Sequence, residues 1–519
     1  MDYGLTLVAF LLNLIGILLT PVYIFLEWLK KGDKVPPITD NLLLIPVTEL
    51  AAKIRVQEVK SEEVVRAYIE RIKLVEPIIN AVVEDRFEAA LKDARSADEM
   101  STSTDRTELE TKYPLLGVPF TVKESCGLQG FSQSAGSLTR KGRKAIFDGE
   151  VVTNLKSAGA IPLLVSANPE YCVSWETNNL LKGACRNPYN TRHSPGGSSG
   201  GEGALIAAGA SPFGVGSDMA GSIRIPCAFN GIFGHKPTGG LLSTNGHFPG
   251  NTDPEFSTYL QTGPMCRYAV DLPMILEIMA GEKAKMKLEN ELHLKDIKVY
   301  TTSGYGRRAI GNCISPEIER VMQEGASYFR QIGMDVKEVK LSSNIDDSLE
   351  GSLAKFLEMN DIPDLLQHPD DPKMRDNLFV EFAKHLIGIP KYTLAALIFK
   401  VLKETGGFMT AASRKLHGEK LSILRKELLD LLGADGILIF PTIHCTAFTH
   451  HESYTNMPGV MYTMFFNVIG FPGTHIPLGL SKRGLPIGFQ VVAAPYKDKL
   501  CLTVATELEK KFGGWIPPS

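Results

Sequence analysis

The sequence predicts an α/β fold on three observations. Short apolar runs bounded by turn residues alternate with amphipathic segments along most of the chain, the pattern of strands and helices in succession. A length of 519 residues with 44% hydrophobic content supplies a large core. Neither an internal repeat nor a Pro/Ser-rich linker divides the chain after residue 42. One large domain over residues 43–519 is therefore expected, behind an N-terminal segment 1–31 and a linker 32–42.

The N-terminal segment is almost wholly apolar from Leu5 to Trp28, a length that suits a bilayer span. Its flanks are the reverse of a signal peptide, with Asp2 before the run and Glu27, Trp28, Leu29, Lys30 and Lys31 after it. A retained transmembrane helix is expected. Lys30, Lys31 and Lys34 put the body on the cytosolic side by the positive-inside rule, and an intracellular membrane such as endoplasmic reticulum or lipid droplet is the expected location. KGDKVPPITDNL follows as linker. Pro46 to Leu91 reads as helical, with SEEVVRAYIERIKLV carrying an acidic first turn after Ser61 and an apolar face at Val64, Val65, Tyr68, Ile69 and Ile72. Ser101 to Lys112 is polar and reads as a surface loop. Strands are expected at LGVPFTV (116–122), AIPLLVS (160–166), DIKVYTT (296–302), MDVKEVKL (334–341), GILIFP (436–441) and IGFQVVA (487–493). Residues 379–403 form a second apolar stretch, split by Pro390 and punctuated by Lys384, Lys391, Lys400 and Lys403. Each half is too short to span a bilayer. The pair reads either as core helices or as a hairpin dipping into a membrane face, with its lysines at the headgroups.

Charge and cysteine usage narrow the function. A net charge of −3 gives no electrostatic footprint for nucleic acid. The eight cysteines are scattered singly, which signals neither a zinc site nor a disulfide framework and makes buried thiols the expectation. No metal-ligand cluster and no cofactor fingerprint stand out. His193, His235 and His475 read as structural or surface residues.

The chemistry concentrates in Ser194–Thr238, SPGGSSGGEGALIAAGASPFGVGSDMAGSIRIPCAFNGIFGHKPT. Glycine lowers stability wherever it has no conformational role, so this density implies unusual backbone or close contact with a ligand. GGSSGGEG has no lysine after its glycines and is not a P-loop. It also lacks the GxGxxG dinucleotide fingerprint. It does fit GxSxG at Ser198, but a nucleophile elbow needs a buried strand just before it, and CRNPYNTRHSP is polar and proline-broken. Lys123, at the end of the apolar GVPFTVKES, reads in isolation as a surface charge at a strand end and alternatively as a buried base. Burial favours a neutral amine, which can take a proton, and a serine hydroxyl needs such a base to attack.

Lys123 in GVPFTVKES, together with the glycine-serine run, resembles the amidase-signature family. The spacings agree, with Ser198 75 positions after Lys123 and Ser222 24 positions after Ser198. FPGTHIPLGL and GLPIGFQVVA extend the resemblance from about Leu42 to the C-terminus. It implies a central mixed β-sheet covered by helices on both faces. It also implies a Ser-Ser-Lys triad: Ser222 as nucleophile in GSIR, Ser198 as proton relay after a cis Gly197–Ser198 peptide, and Lys123 as base. Backbone N–H groups of Met219, Ala220, Gly221 and Ser222 are implied as the oxyanion hole. Ser199, Asp218 and Arg224 are implied around the site, either braced into the loops or acting directly. The N-terminal apolar helix, TGPMCRYAVDL and the terminal KKFGGW resemble the branch of the family that cleaves fatty-acid amides. The expected partners are then a lipid amide substrate and a membrane, with a homodimer left open.

Where the family usually has Gly-Gly-Ser, this chain has Ala220-Gly221-Ser222. Alanine keeps its N–H, but its Cβ resists positive φ and would narrow an acyl pocket. The competing reading is an amidase-type hydrolase or amidotransferase acting on small non-lipid amides. A non-enzymatic membrane protein would require Lys123, Ser198 and Ser222 to be coincidental.

Overall fold

The computed structural model describes residues 32–285, 294–303 and 314–518, together with Leu14, Leu18, Pro21, Val22, Phe25 and Leu29. Its centre is one sheet of 11 strands. In chain order these are β1 (Val82–Asp85), β2 (Pro119–Lys123), β3 (Ile161–Ser166), β4 (Phe213–Asp218), β5 (Phe233–Lys236), β6 (Gln261–Cys266), β7 (Lys298–Thr302), β8 (Val336–Val339), β9 (Gly436–Phe440), β10 (Gly473–Leu480) and β11 (Pro486–Ala493). Their spatial order is β1-β3-β2-β4-β6-β5-β10-β11-β9-β7-β8. The sheet is mixed: β3-β2-β4 and β9-β7-β8 run parallel, and the remaining neighbours are antiparallel. Every residue of β2, β3, β4, β9 and β11 is buried. Successive side chains point to opposite faces of a sheet, so both faces are covered, as the α/β expectation requires.

Helices α1 (Ser61–Ile79), α2 (Gly200–Ala207), α3 (Arg224–Asn230), α4 (Ser348–Glu358), α5 (Leu378–Leu386), α6 (Leu394–Glu404) and α7 (Met461–Val468) matter most for the site. Helix α1 begins at Ser61 as expected. Its first N–H groups are satisfied from outside by Asp98, which accepts from Ser61 and Glu62 at 2.6 and 3.1 Å. The linker is packed onto the domain: Val35 is buried, and Arg71 donates to the Pro36 and Pro37 carbonyls at 2.8 and 3.2 Å.

Three expectations need correction. The helical reading of Pro46–Leu91 hid strand β1, whose VVED is too short to alter the surrounding periodicity. The polar stretch 101–112 is largely helical, because Asp105 caps Arg106–Lys112 by accepting from Thr107 and Glu108. The single-pass membrane placement is also overturned: among the described residues no helix is long and apolar enough to cross a membrane. Most of the apolar run 5–28 lies outside the described residues. The second apolar stretch is α5 and α6, of 9 and 11 residues, joined through Pro390. At about 1.5 Å per residue neither approaches the roughly 30 Å of a hydrocarbon core.

Candidate active site

Parallel pairing builds the site. Strands β2 and β4 run side by side, with Thr121 opposite Gly214 and Val122 opposite Val215, so their C-terminal ends deliver Lys123, Ser217 and Asp218 to one edge. Crevices at the carboxyl ends of parallel strands are the usual ligand sites of such sheets. Helix α2 packs behind. Gly201 has no Cβ because one would lie 2.6 Å from both the Ala167 N and O, and that close approach brings the preceding Ser198–Ser199 turn against the strand ends.

Lys123 is fully buried. Its Nζ lies 2.7 Å from Ser198 Oγ, 2.9 Å from Ser217 Oγ and 3.4 Å from the Ser217 carbonyl oxygen. The Gly197–Ser198 peptide is cis. Ser199 ties this turn to the next loop: its N–H donates to the Ser222 carbonyl at 3.1 Å. Its hydroxyl donates to the Ser217 carbonyl at 3.2 Å and accepts from the Ser217 N–H at 3.3 Å. Ser199 is thus a brace between the two serine-bearing segments. Ser222 is 7% exposed and faces a cavity.

Asp218 organises the loop that carries Ser222. Its carboxylate accepts from the N–H groups of Gly221 and Ile223 at 2.7 and 3.1 Å. It also accepts from Arg224 Nε and Nη2 at 3.0 and 3.1 Å, and from Asn467 at 2.9 Å. Burial pushes this carboxyl up, but the Arg224 guanidinium outweighs it and holds Asp218 well below the usual carboxylate range. Arg224 is itself saturated by Gln490 at 2.9 Å, Asn467 at 2.5 Å and the Thr463 carbonyl at 3.1 Å. This buried network fixes a turn in which Gly221 adopts φ +104°, where a Cβ would lie 2.3 Å from Thr463 Oγ1.

The N–H of Gly221 is therefore committed to Asp218 and is not free for substrate, which corrects its expected place among the oxyanion donors. No described residue accepts from the N–H of Met219, Ala220 or Ser222. Ala220 is not among the residues with positive φ, so its Cβ carries no backbone strain. Its carbonyl is held by Trp175 Nε1 at 3.2 Å and Thr463 Oγ1 at 3.1 Å, and its methyl lines the cavity.

That cavity has a volume of about 400 Å³, and Met219, Ala220 and Ser222 form part of its lining. Its walls come from Cys172–Trp175, from α4 (Leu349, Leu353, Phe356), from α5 and α6 (Phe382, Ile398, Phe399, Leu402) and from Tyr454, Val460 and Met464. Nearly every wall side chain is apolar. No local pattern signals this assembly, because its segments are separated by tens to hundreds of residues. Trp175, Thr463 and Asn467 were missed for the same reason. Ser217 was visible in the glycine-serine run, but nothing local showed that it faces Lys123.

The histidines read as structural hold other parts of the fold. His235 bonds Thr474 at 2.8 Å and Asp498 at 3.1 Å, His475 bonds Thr442 at 2.7 Å, and His193 bridges to Thr449. The cysteines among the described residues are free thiols, most of them buried; Cys313 lies outside the described residues.

A mixed sheet presenting a buried lysine against Ser198 and Ser217 suits amide hydrolysis, and comparison with known proteins agrees. The amidase family model matches residues 63–502, and the chain belongs to that family, the amidase-signature hydrolases. It is 40% identical over 502 residues to the fatty-acid amide hydrolase 2 of Homo sapiens, covering 94% of this chain and 93% of that one. It is 28% identical to a glutamyl-tRNA(Gln) amidotransferase subunit from Chromohalobacter salexigens, covering 89% and 96%. A solved structure of fatty acid amide hydrolase shares the fold, with a TM-score of 0.72 at 21% identity over 93% of this chain and 88% of that one. The protein is an amide-hydrolysing enzyme.

Proposed function

We propose that the enzyme cleaves fatty-acid amides, both primary amides and N-acyl ethanolamines, to a free fatty acid and an amine through an acyl-enzyme on Ser222. The observation that carries this reading is the apolar cavity of about 400 Å³ lined in part by Ser222, together with a buried lysine 2.7 Å from Ser198. Ser222 attacks the carbonyl carbon and passes its proton to Ser198, whose own proton goes to Lys123. The N–H groups of Met219, Ala220 and Ser222 receive the developing oxyanion, and each such donor is worth on the order of a hundredfold in rate. The lysine ammonium returns its proton through Ser198 to the departing amine, and water reverses the sequence to release the acid. Asp218 and Arg224 hold the donor loop rigid.

Substrate access follows from helices α5 and α6. Phe382, Ile398, Phe399 and Leu402 face the cavity, while Phe379, Leu386, Ile387 and Ile389 are 82%, 89%, 70% and 62% exposed. An apolar outer face over an apolar cavity suits shallow contact with a lipid surface, from which an acyl chain enters sideways. The lysines of the stretch are engaged within the protein. Lys384 binds Glu381 at 2.6 Å, Lys400 binds Asp364 at 2.8 Å, Lys391 binds Asp376, and Lys403 binds the Ile362 carbonyl. The contact is therefore apolar rather than a lysine–headgroup one.

Steady-state turnover of a saturated acyl-amide series tests the substrate class. Each methylene buried in the cavity contributes about 0.8 kcal/mol, so kcat/KM rises about fourfold per carbon until the cavity is filled. A short aliphatic amide turned over more efficiently than oleamide would instead support the small-amide reading.

A further inference from the structure

The loop after β5 places His247 beside Ser217, which also contacts the lysine. Its Nε2 lies 3.0 Å from Ser217 Oγ and its Nδ1 lies 2.9 Å from the Pro249 carbonyl oxygen. A carbonyl oxygen can only accept, so Nδ1 carries the ring hydrogen. Burial above all pushes His247 down to about 3, so the ring is neutral at physiological pH. In a neutral ring protonated at Nδ1, Nε2 has only a lone pair. The Ser217 hydroxyl must then donate to His247, which leaves its oxygen able only to accept from Lys123.

This settles the direction of every bond to the lysine. In the base-competent form that the proposed mechanism requires, the amine has two N–H hydrogens and one lone pair, and Lys123 Nζ has three close oxygens. The Ser217 hydroxyl oxygen at 2.9 Å and the Ser217 carbonyl oxygen at 3.4 Å can only accept, so they take both hydrogens. The lone pair falls on the remaining contact, Ser198 Oγ at 2.7 Å.

We infer that His247 is a positioning residue: by locking the Ser217 hydroxyl as an acceptor, it turns the lone pair of Lys123 onto the Ser198 proton. The inference rests on the proposed roles of Lys123 and Ser198. The proton leaves Ser198 Oγ as that oxygen receives the Ser222 proton, and the Nζ lone pair forms the new N–H bond. The third hydrogen of the resulting ammonium then faces Ser198, ready to return to the leaving amine. Without the imidazole acceptor, the Ser217 hydroxyl can rotate and donate to the lysine lone pair. An N–H then points at Ser198, and the base faces away from its proton.

The two ring nitrogens can be tested separately. In His247→Asn the side-chain amide can keep the Nδ1 bond to the Pro249 carbonyl but cannot reach Ser217. In His247→Gln the longer amide presents an acceptor where Nε2 lies. With oleamide and the full-length enzyme, His247→Asn is expected to lose at least about tenfold in kcat with KM within about twofold, and an unchanged thermal midpoint. His247→Gln is expected to recover most of that loss. On a Ser217→Ala background, His247→Asn should cost nothing further, because the hydroxyl it controls is gone. Wild-type kcat in His247→Asn, the opposite order of the two variants, or full additivity with Ser217→Ala would each overturn the inference. Lys123→Ala, measured beside them, separates the two levels. Its retention of activity overturns the triad reading itself, whereas an inactive Lys123→Ala beside an unimpaired His247→Asn overturns only the role of His247.

Discussion

At the scale of single residues, the loop Asp218–Arg224 shows why sequence order and chemical role diverge. The GxSxG pattern draws the eye to Ser198, yet the free N–H donors cluster around Ser222, because Asp218 has taken the N–H of Gly221 and the guanidinium of Arg224. Gly221 is fixed by geometry rather than by chemistry. Its φ is +104°, and a Cβ there would approach Thr463 Oγ1 to 2.3 Å, which leaves no room for a side chain. Gly221→Ala should therefore lose about 2–4 kcal/mol in urea unfolding from the combined backbone and overpacking costs. A loss below about 0.5 kcal/mol would show that the turn relaxes freely, which would contradict the rigid donor loop. Ala220 poses no such problem, since its backbone is ordinary and its methyl simply narrows the cavity beside the nucleophile.

At the scale of elements, legibility depended on whether a segment's pattern was set locally. Strands β3 and β9 are largely apolar runs and β11 is interrupted only by Gln490, so all three could be read directly. Strands β4 and β5 could not, because glycines interrupt FGVGSD and FGHK. Those glycines answer to distant packing: a Cβ on Gly214 would lie 1.7 Å from Glu202 Oε2, and one on Gly234 would lie 2.3 Å from Cys227 Sγ. Lys123, Ser198 and Ser222 were legible from motif and spacing, whereas Trp175, His247 and the cavity walls arise only when separate loops fold together. The α5–α6 hairpin was legible as two short apolar helices, but the division of its faces was not. Substituting serine for Phe379, Leu386 and Ile387 together should weaken binding to phosphatidylcholine vesicles at least tenfold, since burying each such side chain contributes about 1.5–3 kcal/mol. The same variant should leave turnover of a soluble short amide unchanged. Undiminished vesicle binding would show that the exposed face of α5 takes no part in lipid contact.

At the scale of the whole molecule, the buried titratable groups act in two opposing sets. Burial pushes His475 and His247 down to about 3, and His193 and His444 to about 4, from an ordinary 6.5. Each binds a proton more readily when unfolded, so its stabilising contribution is complete above 6.5 and is lost as pH falls through the folded value. Glu202 and Glu509 are pushed the other way, from 4.5 up to about 7, again by burial. Their contribution is complete below 4.5 and is lost as pH rises through 7. Between pH 4.5 and 6.5 the two glutamates offset only half of what the four histidines lose, and below 4.5 the histidines, joined by the depressed Asp218, act unopposed. The urea midpoint should thus fall gently from pH 6.5 to 4.5 and steeply below it. Glu202→Gln removes one opposing contribution, so its midpoint should climb more from pH 4.5 to 7 than that of the wild type. An identical climb would mean that Glu202 is ionised throughout. The chemistry turns on Ser222 being the nucleophile, with Ser198 only passing a proton. Peptide mapping by mass spectrometry after reaction with a long-chain fluorophosphonate tests this most directly. The predicted adduct is on Ser222 and disappears in Ser222→Ala; an adduct on Ser198, or labelling that persists in Ser222→Ala, would contradict it.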